Sequence, residues 1–183
     1  MNIRLIAGKF GGRTLKTPPG SRTKPMGERI RGALFNIIGE EIKDARVLDA
    51  FAGTGSLGLE ALSRGASQAV FIERDRIAGI VLNENINSLQ VQDKTKLIQA
   101  GVAAWIENNQ DQQFDIIFAD PPYHDTQLST VKRLFSLLKP NGLMVLSYPG
   151  RGEAPHGTNG VVVVDNRSYS DAALTFYRRK DES

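Results

Sequence analysis

Four consecutive residues, Asp120-Pro-Pro-Tyr123, carry the most specific chemistry in this chain. Pro121 and Pro122 fix the backbone and remove two N–H donors. What remains is a set of acceptors, the Asp120 carboxylate and the Pro121 carbonyl, with Tyr123 as a flat face beside them. That set suits an exocyclic amino group on a planar base. Such a nitrogen is a poor nucleophile, because its lone pair is delocalised into the ring. Two acceptors taking its N–H bonds draw it toward a tetrahedral shape and turn the lone pair outward, while Tyr123 stacks on the base. A rigid turn between a strand and a helix would use the same prolines. Its place after the fourth strand of the body favours the functional reading.

A second stretch, Arg46-Val-Leu-Asp-Ala-Phe-Ala-Gly-Thr-Gly-Ser-Leu-Gly58, has the form strand, glycine turn, helix. Gly53, Gly55 and Gly58 satisfy G-x-G-x-x-G, and Glu73 lies twenty residues past Gly53. The pattern alone fits either a dinucleotide or S-adenosylmethionine (SAM). Two details favour SAM. Asp49 stands at the strand end, where it would repel a pyrophosphate but suit a sulfonium and its ammonium group. The stretch from Asp49 to the first glycine is also longer than a dinucleotide turn needs. Glu73 fits as acceptor for vicinal ribose hydroxyls. Asp49, Ala50, Phe51, Gly53, Thr54, Gly55, Glu73 and Arg74 are the candidate cofactor contacts.

The chain's 183 residues, 40% hydrophobic and 23% charged, predict a single globular domain. No apolar run spans a bilayer and the first residues are too short for a signal peptide, so a cytoplasmic protein is expected. There is no cysteine, which removes disulfides, cysteine-ligated zinc and any thiol nucleophile. Methylation of pyrimidine C5 usually needs such a thiol; transfer to an amino nitrogen does not. No His/Asp/Glu cluster has metal-ligand spacing, and no metal is expected. The net charge of +3 is uneven. Residues 1–31 hold eight basic residues and one acid. Arg13, Lys16, Arg22, Lys24, Arg29 and Arg31 are the candidate contacts to a polyanion, either Arg29 or Arg31 at least being free of the core. Residues 1–24 read as a basic hairpin arm on a body of residues 25–183.

The positioning elements follow from periodicity. Helix 25–39 has the stripe Ile30, Leu34, Ile37, Ile38. Strands at 46–50, 69–73, 95–99, 114–119 and 142–147 alternate with helices at 55–64, 75–88, 102–109 and 126–138, and Trp105 is expected to pack its helix onto the sheet. Pro140-Asn141-Gly142 reads as the turn before the fifth of these strands. This is an α/β, doubly wound, parallel sheet with helices on both faces. Residues 161–164 and 173–177 are two strands with no helix between them, an antiparallel closing pair. Asp49, Glu73 and Asp120 each fall at a carboxyl strand end, where such sheets bind ligands.

The chain resembles the bacterial RsmD-type ribosomal RNA guanine-N2 methyltransferases of the class I SAM-dependent fold, over nearly its whole length. The likeness rests on Ile6-Ala-Gly-Lys-Phe-Gly-Gly-Arg13, Lys24-Pro25, Glu28-Arg29-Ile-Arg31 and Ala33-Leu-Phe-Asn36, with Asp49 to Gly55, Gly58 to Gly65, Asp120-Pro-Pro-Tyr123 and Tyr169 to Tyr177. The resemblance implies a seven-stranded Rossmann-like sheet and methyl transfer from SAM to the N2 amino group of one guanine in small-subunit ribosomal RNA, free or in an assembling 30S particle. It also implies that the basic arm helps hold the RNA. A monomer is expected. Where the family often has Gly-Asp after the third body strand, this chain has Ala100-Gly101-Val102, so Gly101 and Val102 are expected to meet adenine through backbone and apolar groups. Other readings are an adenine-N6 DNA methyltransferase, for whose target-recognition region there is little room, and a non-catalytic RNA-binding module. An NAD dehydrogenase would lack evident hydride-site residues.

Overall fold

Short apolar runs such as Ala69-Val-Phe-Ile72 and Ile116-Ile-Phe118 form the inner strands of one sheet, buried on both faces. The computed structural model describes residues 3–20, 25–150, 152–158, 160–170 and 172–181. The elements run β1 (Ile3–Arg4), β2 (Thr14–Leu15), α1 (Glu28–Ile38), β3 (Arg46–Asp49), α2 (Ser56–Ser63), β4 (Gln68–Glu73), α3 (Arg76–Leu89), β5 (Thr95–Gln99), α4 (Val102–Glu107), β6 (Phe114–Ala119), α5 (Leu128–Leu134), β7 (Leu138–Pro149), β8 (Val161–Ser168) and β9 (Ala172–Arg179). The seven-stranded sheet has the order β5-β4-β3-β6-β7-β9-β8. Pairs from β5 to β7 are parallel, and β9 is antiparallel to both β7 and β8. From β3 the chain winds first toward β5 and then, with β6, in the other direction. The reversal opens a crevice beyond the ends of β3 and β6.

Strand periodicity divides the core. Val47, Phe71 and Phe118 face one layer with α1, α2 and α3; Leu48, Val70, Ile72 and Ile117 face the other with α4 and α5. Trp105 packs in the second layer, its ring tilted against Phe114. The N-terminal hairpin is not a free arm. Leu5 and Leu15 are buried in the first layer's core. No helix among the described residues is long and apolar enough to cross a membrane.

Several element boundaries differ from the sequence expectation. Helix α1 begins at Glu28 rather than at residue 25, because Gly27 before it is extended. The helix expected over 126–138 is shorter: α5 ends at Leu134, a 3-10 turn covers Phe135–Leu137, and Leu138 already pairs with Phe114. β7 therefore runs through Pro140-Asn141-Gly142 instead of starting after it. The register shifts between Phe114 and Ile116, with Asn141 at φ +67. An added Cβ on Gly142 would lie 2.8 Å from the Lys139 carbonyl oxygen, so the irregularity needs glycine. β8 extends to Ser168, beyond the expected 161–164.

Candidate active site and cofactor crevice

The glycine pattern resolves into two different jobs. Gly53 and Gly55 have φ of +56 and +83 and make the turn. Gly55 and Gly58 also permit close packing. A Cβ on Gly55 would meet Leu82 of α3 at 2.2 Å, and one on Gly58 would meet the Phe71 ring at 2.3 Å. The N–H groups of the three glycines are not left for a phosphate: Gly55 N–H donates to the Ala52 carbonyl at 2.8 Å. Gly58 N–H donates to Asp49 Oδ2 at 3.0 Å, and Gly53 N–H to Glu73 Oε1 at 2.8 Å. Two carboxylates thus take donors that an anion would want, which argues against a pyrophosphate. Glu73 Oε2 accepts from Asp75 N–H at 2.6 Å, so both its oxygens are aimed by backbone while the side chain stays half-buried.

Asp49 is the group that asks for a ligand. It is buried, and its Oδ1 has no hydrogen-bond partner. Such an atom is costly unless something cationic or N–H-bearing meets it. Burial pushes its pKa up from 3.8 to about 8, the Gly58 N–H pulls it down, and the charges of Asp120 and Glu73 raise it further. The fit to a cofactor bearing an ammonium and vicinal hydroxyls is direct: one orphan acceptor at the end of β3 and one oriented carboxylate at the end of β4. Ala50 and Thr54 are buried, Phe51, Gly53 and Gly101 half-buried, Val102 buried and Arg74 exposed. Ala100 N–H bonds the Glu73 carbonyl at 3.1 Å, holding the loop before α4 level with β4.

The raised pKa has a consequence for the unliganded protein. Between about pH 4 and about pH 8 folded Asp49 keeps a proton that the unfolded chain has released, so stability falls as pH rises through that window. Urea midpoints of the unliganded protein are expected to decline over this range. Asp49→Asn, which keeps an acceptor for Gly58, is expected to reduce the decline and leave the part due to Asp120; an unchanged slope would show that Asp49 is not a source.

At the neighbouring strand end, β6 pairs with β7 so that Ala119 faces Leu146; Asp120 is therefore level with Ser147. The Asp120 carboxylate accepts a hydrogen bond from the Ser147 hydroxyl. Burial pushes the Asp120 pKa up to about 7, with that hydrogen bond opposing the rise. Pro121 is buried and Pro122 exposed. Tyr123 has its hydroxyl 2.8 Å from Ser147 Oγ, while the side chain is still 41% exposed. The turn therefore presents an acceptor and an open aromatic face side by side. Asp49, Glu73 and Asp120 lie close enough for two of the charges to act on the third.

Comparison with known proteins agrees with this architecture. The family described as conserved hypothetical protein 95 matches residues 3–178. The ribosomal RNA small subunit methyltransferase D of Haemophilus influenzae is 35% identical over 150 residues, covering 78% of this chain and 76% of that one. The protein of the same name from Escherichia coli K12 is 35% identical over 140 residues, covering 76% and 68%. The solved structure of yhhF from Escherichia coli superposes with a TM-score of 0.86 at 30% identity, covering 100% of both chains. The chain belongs to the RsmD-type family of class I methyltransferases.

In this RsmD-type chain the basic candidates divide. Arg22 and Lys24 lie outside the described residues. Arg13 and Arg29 are exposed; Arg13 donates to the Ser88 carbonyl at 3.0 Å. Lys16 is exposed in a 3.2 Å pair with Glu84. Arg31 corrects the sequence reading. It is 1% exposed, its guanidinium lies 3.8 Å from Glu60, and it donates to the Arg4 carbonyl, so it is structural rather than a surface cation. The stripe rule allowed one of Arg29 and Arg31 to turn inward, and it is Arg31 that does, because the buried acid of α2 lies opposite it.

Among the buried polar residues that the sequence reading does not single out, Glu60 and Asn85 tie the hairpin to the body. Glu60, in an otherwise apolar helix, accepts from Ile6 N–H at 2.8 Å, Ala7 N–H at 3.1 Å and Arg64 at 2.9 Å. It seats the hairpin on α2. Asn85, at a core position of α3, exchanges two hydrogen bonds with the Lys16 backbone and donates to the Thr54 carbonyl at 3.2 Å. It joins β2's continuation to the cofactor loop. A polar residue on the buried stripe between Leu82 and Leu89 was the available signal.

Proposed function

We propose that this protein transfers a methyl group from SAM to the N2 amino group of a guanine in small-subunit ribosomal RNA. The observation that carries the reading is the placement of the Asp120 turn, with its acceptor and open Tyr123 face, beside the crevice holding the orphaned Asp49 oxygen. When bound, the cofactor supplies an electrophilic methyl on a sulfonium. Asp49 Oδ1 would accept from its ammonium group and Glu73 from its ribose hydroxyls, with Ala50, Phe51, Gly53, Thr54 and Gly55 forming the loop around it and Arg74, Gly101 and Val102 the adenine side.

The remaining work is positioning, which can supply on the order of 7–11 kcal/mol of barrier reduction. The ionised Asp120 carboxylate and the Pro121 carbonyl accept the two N–H bonds of the amino group. Tyr123 stacks on the purine and Pro121 and Pro122 keep the turn rigid. The proton released from nitrogen needs no dedicated base. A guanine that is paired must be turned out of its stack to reach this turn. The names of the relatives from Haemophilus influenzae and Escherichia coli support ribosomal RNA as the substrate class.

The deciding experiment is nucleotide-resolution mapping of methylated guanines in ribosomal RNA made with and without this protein, on free RNA and on 30S precursors. One N2-methylguanine that appears only with the protein supports the reading; methyl on adenine N6 or none at all refutes it. Among the described residues, Arg13 and Lys16 of the hairpin segment and Arg29 of α1 are exposed candidate cations. Replacing all three with glutamine is expected to weaken RNA binding and to lower the slope of log affinity against log salt by about 0.7–0.9 for each phosphate that is no longer neutralised. A slope equal to wild type would take these residues out of the interface.

A further inference from the structure

The Asp-Pro-Pro-Tyr turn has a partner on the next strand. Ser147, at the end of β7, is 2% exposed and lies level with Asp120 through the Ala119–Leu146 register. Its hydroxyl meets both working groups of the turn: the Asp120 carboxylate and, at 2.8 Å, the Tyr123 hydroxyl. A hydroxyl has one proton, and an ionised carboxylate can only accept. Ser147 therefore donates to Asp120 and receives its second bond from Tyr123. With Asp120 ionised, the direction of the chain is Tyr123 to Ser147 to Asp120.

We propose that Ser147 is the positioning residue of the transfer site, setting the distance between the carboxylate that holds the amino group and the aromatic face that holds the base. The inference rests on the reading above. An acceptor must lie in the plane of the bound base, and a stacking ring must lie parallel to it about one ring thickness away. Tyr123 sits three residues beyond Asp120 on an exposed turn, and two side-chain torsions set where its ring lies. The bond to a buried hydroxyl on a different strand fixes those torsions before substrate arrives, as preorganisation requires. The same hydroxyl favours the ionised form of Asp120 against its burial, so Ser147 widens the pH range over which the acceptor is charged.

Ser147→Ala, Tyr123→Phe and the double variant separate this from a merely structural role. Tyr123→Phe keeps the ring and removes the hydroxyl that meets Ser147. Each single variant is expected to lower kcat by about tenfold, with binding of S-adenosylhomocysteine measured by calorimetry unchanged. The double variant is expected to fall no further than Ser147→Ala alone, because both changes break one chain. The acid limb of the pH–rate profile is expected to move to higher pH in Ser147→Ala. Carbon NMR of the Asp120 carboxyl, assigned against Asp120→Asn, should show the same upward move without any turnover. Independent, additive losses with an unmoved Asp120 titration would overturn the proposal. If Ser147→Ala does not fold, Tyr123→Phe with unaltered kcat would do so. If the wild-type protein methylates no guanine, the function falls but the NMR titration still decides whether Ser147 governs Asp120.

Discussion

Asp120→Ala is expected to abolish methyl transfer while leaving cofactor binding intact. The carboxylate lies on the acceptor side of the crevice, where its hydrogen bond runs to Ser147 on β7; its effect on the cofactor side is electrostatic, through Asp49. Loss of one preorganised polar group at a reacting atom costs about 10²–10³ in rate. Single-turnover transfer to ribosomal RNA and calorimetry with S-adenosylhomocysteine separate the two effects. Removing the Asp120 charge also relieves repulsion on Asp49, so the cofactor-side carboxyl ionises more easily in the variant. In the wild type, kcat/KM should fall as pH drops through about 7, because the protonated carboxyl loses its charge and turns one acceptor oxygen into a donor. Turnover that survives Asp120→Ala, or an acid limb far below 7, would remove Asp120 from the mechanism.

The second large effect is expected on stability. Glu60→Ala leaves Arg31 buried without its counter-charge and strips the acceptor from the N–H groups of Ile6 and Ala7. Breaking a buried pair from one side costs about 3–5 kcal/mol. That is a large share of the roughly 5–15 kcal/mol a domain typically holds. Arg31→Met should cost less, because two of its nitrogens already lack a hydrogen-bond partner and methionine fills much of the same volume. Urea unfolding followed by circular dichroism ranks the two. A Glu60→Ala midpoint near wild type, or a larger loss in Arg31→Met, would mean that the hairpin is held by its apolar packing alone. Because the hairpin carries Arg13 and Lys16, Glu60→Ala should also weaken RNA binding where the fold survives.

Much of the architecture was legible because it depends on local signals. Alternation of strand and helix, the prolines at 121 and 122, and the glycines at 53 and 55 each state their own backbone requirement. The three strand-end acids were legible for the same reason, since a parallel sheet places every carboxyl end on one side. The α5 and β7 boundaries were not. Pro140 gives a local reason for the helix to stop, but nothing near Leu138 says that it enters a strand; it does so because Phe114, distant in sequence, offers a strand to pair with. Arg31 was read as a surface cation because charge asymmetry treats all eight N-terminal basic residues alike, and only the packing of α1 on α2 brings Glu60 opposite one of them.

The sequence by itself determined the doubly wound sheet, the glycine turn and the acceptor turn, because these follow from near-neighbour sterics and periodicity. Tertiary structure alone decided which donors those turns leave free. Gly53 and Gly58 spend their N–H groups on Glu73 and Asp49, Asp49 keeps one buried oxygen unpaired, and Ser147 bridges Asp120 to Tyr123. The Gly58 bond closes within one strand-turn-helix loop, whereas those that join Gly53 to Glu73 and Ser147 to the Asp120 turn span 20 or more positions and depend on strand register.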